Sequence, residues 1–357
     1  MAKTSEYGLG EFTYPRGWFM VADSSEVKDR PVAIKYFGEE MVVYRGESGK
    51  PYVVEAHCPH MGAHLAKNST SYVVIDNEQI EGEDIRCPYH AWKFGPDGRC
   101  NHIPYSPAPV PEAARLRTWP TVERAGSIFV WHDEEGGEPD YDVPPIVEWD
   151  DPSWVRWTFD HLGELDCHPV EIVDNMVDRG HFTPIHGSAH PEYFRNKFDG
   201  HVITQEFAAG HKTLSDEVLV TDTWYTGPGI LLSKMDGYHP SIIQITHTPI
   251  EDGRVRAWHA LLVKSADAEN PEAGVQLARE YQEASRLALM QDFEIWANKR
   301  PCFKTMQVIG DGPFGRLRTW YKQFYNSREQ AGALQDKANG YIPTRGTRLD
   351  PWPTAAE

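Results

Sequence analysis

Two short motifs constrain this chain more than anything else in its 357 residues: Cys58-Pro59-His60 and Cys87-Pro88-Tyr89-His90. The order is C-x-H, then 26 residues, then C-x-x-H. Four side chains that can ligate a metal come in two mixed pairs, so a fold that uses them must bring two loops to one point. Pro59 and Pro88 stiffen those loops by fixing φ. Gly62 after the first motif, and Gly95 and Gly98 after the second, let backbone amides turn toward whatever the ligands hold. Trp92 stands where it would shield such a group from water.

Two thiolates and two imidazoles are the ligand set of a Rieske [2Fe–2S] cluster, in which histidines replace cysteines on one iron. Neutral imidazoles remove negative charge and raise the potential to between about −150 and +300 mV, against about −400 mV for a plant-type ferredoxin. Electrons therefore run downhill into such a cluster from a plant-type donor. The rival reading is a zinc-stabilised binding module. Zinc sites usually space ligands C-x₂₋₄-C and H-x₃₋₅-H, whereas here each pair is mixed and the first is separated by one residue, which favours the cluster.

A cluster carrier alone would need only the first third of the chain, so 357 residues imply a second domain. Apolar residues make up 40%, enough for two cores. The net charge of −18, from 35 basic and 53 acidic side chains, argues against nucleic acid and against anionic membranes, and suits docking to a basic patch on a redox partner. Beyond Cys58 and Cys87 there remain Cys100, Cys167 and Cys302, an odd number. A disulfide framework is not expected, and a reducing cytoplasmic location is. The first residues lack the apolar core of a signal peptide, and no run of 18 apolar residues predicts a membrane span.

Residues 16–134 read as an all-β module. Short runs rich in Val, Ile, Tyr and Phe predict strands at Val32–Phe37, Glu40–Arg45, Tyr52–Ala56, Tyr72–Ile75 and Ser127–His132. Residues 135–153, with Gly136-Gly137 and Pro144-Pro145, predict a linker. The second domain, 154–330, opens with a strand over Trp154–His161 and a helix over Pro169–His181. Five further strands follow at His201–Phe207, Thr213–Thr221, Ile230–Met235, Ile242–Thr248 and Val255–Lys264. Helices over 272–299 and 313–325 complete it, and 331–357 reads as an extended arm. The fold class is α+β.

A second ligand set is visible in this domain. Asp178 and His181 are three apart and would share a helix face. His181 and His186 are five apart, so on an unbroken helix their rings diverge; Pro184 between them predicts a break that would let both reach one metal. The long helix carries an apolar stripe, Leu277, Tyr281, Ala284, Ala288 and Ile295, and Asp292 falls inside it, opposite Arg279, Glu283, Arg286 and Glu294. A carboxylate there needs a partner. A cation would supply one; so would an arginine or a backbone amide. Two histidines and a carboxylate form the facial triad of non-heme Fe(II) oxygenases. A chain with a one-electron cluster and a second domain needs an acceptor, which favours that reading over an incidental histidine pair.

These residues resemble the oxygenase components of Rieske non-heme iron oxygenases over about residues 16–326. Three stretches most resemble the 3-ketosteroid 9α-hydroxylase branch. They are Cys58-Pro59-His60-Met61-Gly62-Ala63-His64-Leu65, the run from Cys87 through Gly98-Arg99-Cys100 to Pro104-Tyr105, and Gln291-Asp292-Phe293-Glu294-Ile295-Trp296 with Asp311-Gly312-Pro313 and Trp320-Tyr321-Lys322-Gln323-Phe324-Tyr325. The resemblance implies an all-β Rieske domain followed by a helix-grip catalytic domain, an antiparallel sheet over a long helix. It implies a [2Fe–2S] cluster on Cys58, His60, Cys87 and His90, one mononuclear Fe(II) on His181, His186 and Asp292, and Asp178 as a catalytic bridge between the two centres of neighbouring subunits. A head-to-tail homotrimer and a separate NAD(P)H-dependent reductase with flavin and a [2Fe–2S] cluster follow from the same likeness.

The implied activity is a monooxygenase using O₂ to hydroxylate a hydrophobic, steroid-like substrate. Demethylation, desaturation or hydroxylation of another aromatic or aliphatic substrate is the alternative, and a Rieske electron-transfer protein the next. Arg179-Gly180 and Thr183-Pro184 flank the iron motif where larger apolar residues are expected, and the acidic segment Asp76–Asp84 separates the cluster loops. Candidates for the pocket wall are Trp224, Tyr225, Ile230, Leu231, Tyr238 and Ile242.

Overall fold

The computed structural model describes residues 2–212, 215–237 and 239–352, in two compact units. One comprises Trp18–His132 with Gly136–Val143; the other comprises Met1–Gly17, Asp133–Glu135 and Pro144–Glu357. The stretch 135–153 is thus divided between the units, and Val147–Asp150 forms a 3₁₀ turn.

The smaller unit is β throughout apart from short turns of helix. Two of its hairpins turn over a pair of residues at positive φ. Phe37-Gly38 (54° and 72°) join Val32–Tyr36 to Glu39–Arg45, and Ala125-Gly126 (47° and 77°) join Thr121–Arg124 to Ser127–His132. Two positive φ values give the turn whose twist matches the flanking strands. A second sheet runs Val32–Tyr36, Glu39–Arg45, Pro51–Glu55, Thr118–Trp119, and a third runs Ile80–Glu81, Asp84–Arg86, Lys93–Phe94, Cys100–His102. Val42, Tyr44, Val54, Ile85, Phe94 and Leu116 form a buried core that includes Cys58 and Cys87 themselves. The cysteine end of each motif is therefore fixed by the unit's own packing.

One predicted strand is a helix. Tyr72–Ile75 coils because Ser71 Oγ accepts the Val73 amide at its start and Asn68 Oδ1 accepts the amides of Thr70 and Ser71. Local capping wins here because no strand pairs with the segment and Tyr72 and Ile75 are exposed. The strand Gly17–Asp23 and the very short strands of the third sheet are absent from the sequence reading.

The larger unit is built on an eight-stranded antiparallel sheet. Its order is Asp160–Leu165, Arg254–Val263, Ser241–Glu251, Ile230–Asp236, Ser215–Thr226, Val202–His211, Tyr193–Asp199, Gly340–Pro343. The helix Pro271–Asn298, capped by Asn270 with proline at its first position, packs Leu289, Phe293 and Trp296 against Leu165, Val255 and Ala257 of the sheet. A second core joins Phe198, Ile203 and Tyr225 to Leu317, Trp320 and Phe324 from Phe314–Tyr325 and to Val170, Val173 and Met176.

Four expectations are corrected in this unit. Trp154–His161 is not a strand: regular pairing starts at Asp160, Val155 makes one isolated bridge to Val263, and Trp157 is drawn into a ring cluster with Trp149. The helix over Pro169–His181 is a single turn, Pro169–Val173, with a 3₁₀ turn at Asp174–Met176. It stops there because the Met176 carbonyl accepts Nδ2–H of Asn196 and Nε2–H of Gln205 (2.7 and 3.0 Å) instead of a helical amide. Pro184 does not break a helix; it lies in the first turn of Phe182–His186, where no intrahelical N–H is needed. Residues 331–357 are not simply an arm: the helix Arg328–Ala338 leads into the sheet's edge strand Gly340–Pro343. Among the described residues all five cysteines are free and no helix is long and apolar enough to cross a membrane.

Candidate metal centres

The two Cys/His loops close by the same backbone pattern. Cys58 donates its N–H to the Ala63 carbonyl and accepts the Gly62 amide; Cys87 donates to the Trp92 carbonyl and accepts the Ala91 amide, all at 2.8–3.0 Å. The fifth residue of each loop is left-handed, Gly62 at φ 74° and Ala91 at 56°. Glycine meets that demand freely in the first loop, and an alanine carries it at a cost in the second. The imidazoles of His60 and His90 stand 4.7 Å apart, and Trp92 stacks on His60 at 4.5 Å with 9° between planes. His60 Nδ1 is buried with no hydrogen-bond partner, the condition of a nitrogen reserved for a metal. The hydrogen bond between the Cys58 and Cys87 thiols holds Cys58 well above and Cys87 well below the ordinary thiol range. Cys87 is thereby favoured as the thiolate that a metal-bound cysteine must be.

His181, His186 and Asp292 offer ligand atoms that all lie within 4.8 Å of one another. Asp178 does not share a helix face with His181, because Asp178–His181 is the turn after the helix has ended; the turn itself makes the contact. His181 Nδ1–H donates to the Asp178 carbonyl at 2.5 Å, with the Asp178 carboxylate 3.7 Å away. His186 Nδ1–H donates to Gln291 Oε1 at 3.1 Å. Both rings are thereby held with Nε2 left for a metal, and His186 Nε2 lies 3.2 Å from Asp292 Oδ2. Burial lowers the affinity of His181 for a proton. Burial opposes protonation of His186 as well, but its hydrogen bonds to Asp292 and Gln291 outweigh that and hold it above the ordinary range. The three side chains fit a divalent metal by donor type, convergence and outer hydrogen bonds.

Several supporting residues carried no signal in the sequence. His211 Nε2 reaches the His186 carbonyl at 3.1 Å and packs against the left-handed Gly187, which ends the helix Phe182–His186. Gly312 lies so close to the Val177 carbonyl that a Cβ would meet it at 1.8 Å, which is why glycine stands there. Gln291 was legible only as part of a motif, with no role attached.

The triad opens on a cavity of about 430 Å³ between one face of the sheet and the helix Pro271–Asn298. Strand alternation decides what lines it. Thr223, Tyr225, Leu231, Ser233, Ile243 and Leu261 face in, so of the candidates Tyr225 and Leu231 contribute. Trp224, Ile230 and Ile242, one residue out of phase, do not, and Tyr238 lies outside the described residues. Arg179 turns away, its guanidinium donating to the carbonyls of Gly310 and Gly346 at 3.3 Å.

Comparison with known proteins agrees with this architecture. Residues 17–120 match the Rieske [2Fe–2S] domain and residues 130–325 match the 3-Ketosteroid 9alpha-hydroxylase C-terminal domain. The chain is 34% identical over 344 residues to a probable 3-ketosteroid-9-alpha-monooxygenase, oxygenase component, of Rhodococcus rhodochrous, covering 90% of this chain and 83% of that one. It is 28% identical over 370 residues to cholesterol 7-desaturase of Caenorhabditis elegans, covering 91% and 81%. Its fold superposes on Pseudomonas putida CBB5 NdmA with caffeine at a TM-score of 0.70 and 17% identity, covering 91% and 95% of the chains. It superposes on dicamba monooxygenase with non-heme iron and dicamba at 0.60 and 18%, covering 90% and 97%. The chain belongs to the 3-ketosteroid 9α-hydroxylase family of Rieske monooxygenases, as their oxygenase component.

Proposed function

We propose that this protein hydroxylates a steroid-like substrate, with Cys58, His60, Cys87 and His90 holding a Rieske [2Fe–2S] cluster and His181, His186 and Asp292 holding a mononuclear Fe(II). The observation that carries the reading is the meeting of two imidazoles and one carboxylate at the wall of a cavity of about 430 Å³ whose lining is mainly apolar. When bound, the cluster would supply single electrons and the mononuclear iron O₂ activation. The chain's own residues do the rest. The Asp178 carbonyl and Gln291 orient the two imidazoles, Asp292 supplies the negative charge, and the cavity holds an apolar substrate away from bulk water.

Asp178 is the catalytic bridge in this reading. Its carboxylate carries the connection between the His181 centre and the cluster of a neighbouring subunit, which requires a head-to-tail homotrimer. Electrons come from a separate NAD(P)H-dependent reductase with flavin and a plant-type [2Fe–2S] cluster, and the acidic chain suits a basic docking face on that partner. Desaturation of a sterol is the second reading, favoured by the likeness to cholesterol 7-desaturase.

The test is turnover of a panel of 3-ketosteroids, sterols and smaller aromatic acids with reductase, NADH and O₂, scored by product mass. A gain of one oxygen on a 3-ketosteroid is expected. A loss of two hydrogens would select the desaturase, and turnover of none but the smaller acids would remove the steroid assignment.

A further inference from the structure

Away from the metal ligands, one row of hydrogen bonds crosses from the sheet to the cavity. Asp160 and His259 are direct cross-strand partners, and Asp160 Oδ2 lies 2.8 Å from His259 Nδ1. His259 Nε2 lies 2.9 Å from Ser285 Oγ on the long helix. Gln282, one turn earlier, donates from Nε2 to the same Asp160 oxygen at 2.9 Å and to the Thr158 carbonyl at 2.7 Å. His259 is 0% exposed, and both His259 and Ser285 line the cavity. The order Asp–His–Ser is that of a nucleophilic triad. A nucleophile also needs free N–H donors for an oxyanion, however, and around Ser285 the helix amides are already used within the helix.

The direction of the row sets what its cavity end can bind. The Asp160 carboxylate takes Nδ1–H; in the tautomer that leaves Nε2 without a hydrogen, Nε2 is an acceptor and takes the Ser285 hydroxyl hydrogen. Ser285 Oγ then offers the cavity lone pairs only. It also lies at a fixed distance from the chemistry. Ser285 and Asp292 are seven residues apart, which puts them within about 20° on one helix face and about 10.5 Å apart along its axis.

We propose that Ser285, set by Asp160 and His259, is the far-end recognition group of the cavity, accepting a hydrogen bond from a hydroxyl that an elongated apolar substrate carries about 10 Å along the helix from the mononuclear site. The proposal rests on the steroid reading above and deepens it to a hydroxylated steroid.

The test is calorimetric binding to the reconstituted protein under argon, with two probe series. One is a 3-ketosteroid bearing a hydroxyl, a ketone or no oxygen at C17; the other is octan-1-ol, octanal and octane. The wild type should bind the hydroxyl member of each series roughly tenfold tighter than the oxygen-free member. Ser285→Ala should erase that preference without weakening the oxygen-free member. Asp160→Asn, whose side-chain oxygen still accepts from Gln282 and from His259 Nδ1–H, should keep the preference, whereas His259→Phe, which removes the acceptor of the Ser285 hydroxyl hydrogen and frees that hydroxyl to donate into the cavity, should shift the preference to the carbonyl member, a change that a purely structural staple would not produce. Circular dichroism and iron content confirm that each variant is folded and loaded. If the steroids fail to bind while the octyl series shows the Ser285-dependent preference, the subsite stands and the steroid reading falls. If the steroids bind regardless of terminal oxygen, or Ser285→Ala keeps the preference, the subsite falls and the steroid reading stands. Binding of neither series overturns both. A Ser285→Ala variant whose only defect is slower turnover, with a solvent isotope effect, would make the row a proton path and also overturn the subsite.

Discussion

Cys58, His60, Cys87 and His90 come from two loops of one small unit, closed by the same backbone hydrogen bonds and seated on a shared core. His181 and His186 come from the N-cap and the last residue of the short helix Phe182–His186, and Asp292 from a helix more than a hundred residues later, and they meet only because the larger unit folds. The first set is made locally, and its geometry is a property of its loops. The second is made by tertiary structure, and it depends on neighbours that orient each ring. The two should therefore fail separately and respond to different substitutions.

The largest effect belongs to Asp292→Ala. It should empty the mononuclear site and reduce turnover by more than about a hundredfold, the upper end for loss of a supporting residue. The visible spectrum of the cluster should stay, and iron should fall from about three to about two per chain. Cys87→Ser should do the reverse, bleaching the cluster while leaving the mononuclear site able to bind Fe(II). Asp178→Ala comes next. The bond that orients His181 is made by the Asp178 carbonyl, which alanine keeps. Iron content should hold while turnover falls by roughly a hundredfold; undiminished turnover would take Asp178 off the electron path. Gln291→Ala should weaken mononuclear iron binding by about 10- to 100-fold, read by metal titration, with the cluster unchanged.

The larger unit should also be the acid-sensitive one. Burial pulls the proton affinities of His168 and His247 down to about 3, from 6.5. His168 Nδ1 caps a helix by accepting the Val170 amide, a bond that protonation would break. Both are neutral in the folded state, so below pH 6.5 the unfolded chain takes up protons that the folded chain refuses. Stability should then fall by about 1.4 kcal/mol per pH unit for each histidine, about 2.7 for both, as pH drops from 6.5 toward 3. Denaturation followed by far-UV circular dichroism across that range checks it. The smallest effects fall on the cluster loops. Ala91→Gly should raise stability by about 1 kcal/mol by releasing left-handed strain, and Gly62→Ala should lower it by a similar amount, since the space beside Gly62 is open and only the backbone objects. Melting temperatures of the pair decide this.

The same contrast explains what the sequence could reveal. The two Cys/His pairs are legible because both sit in short loops with characteristic spacing. Asp292 is legible because a carboxylate in an apolar stripe is costly, although the true buried stripe is Gly274, Ala278, Leu289, Phe293 and Trp296, rotated from the one read off the sequence, with Ile295 exposed. The antiparallel strands of the larger unit follow from their β-branched runs. The break before His181 is not legible, because it depends on Asn196 and Gln205 capturing the Met176 carbonyl from strands that fold later in the sequence. Nor is the cavity wall, since a one-residue change of phase sends Trp224 out and Tyr225 in. The row Asp160–His259–Ser285 joins three elements that no motif connects.

The most direct measurement is a single turnover without reductase. Protein reconstituted with iron and sulfide is reduced under argon, then mixed with a 3-ketosteroid and ¹⁸O₂. Hydroxylation needs two electrons beyond those of the C–H bond, one from the reduced cluster and one from Fe(II). The expected result is a steroid product carrying one ¹⁸O, formed as the cluster reoxidises and absent in Asp292→Ala. Reoxidation of the cluster with the steroid recovered unchanged, in protein that holds both metal centres, would contradict it.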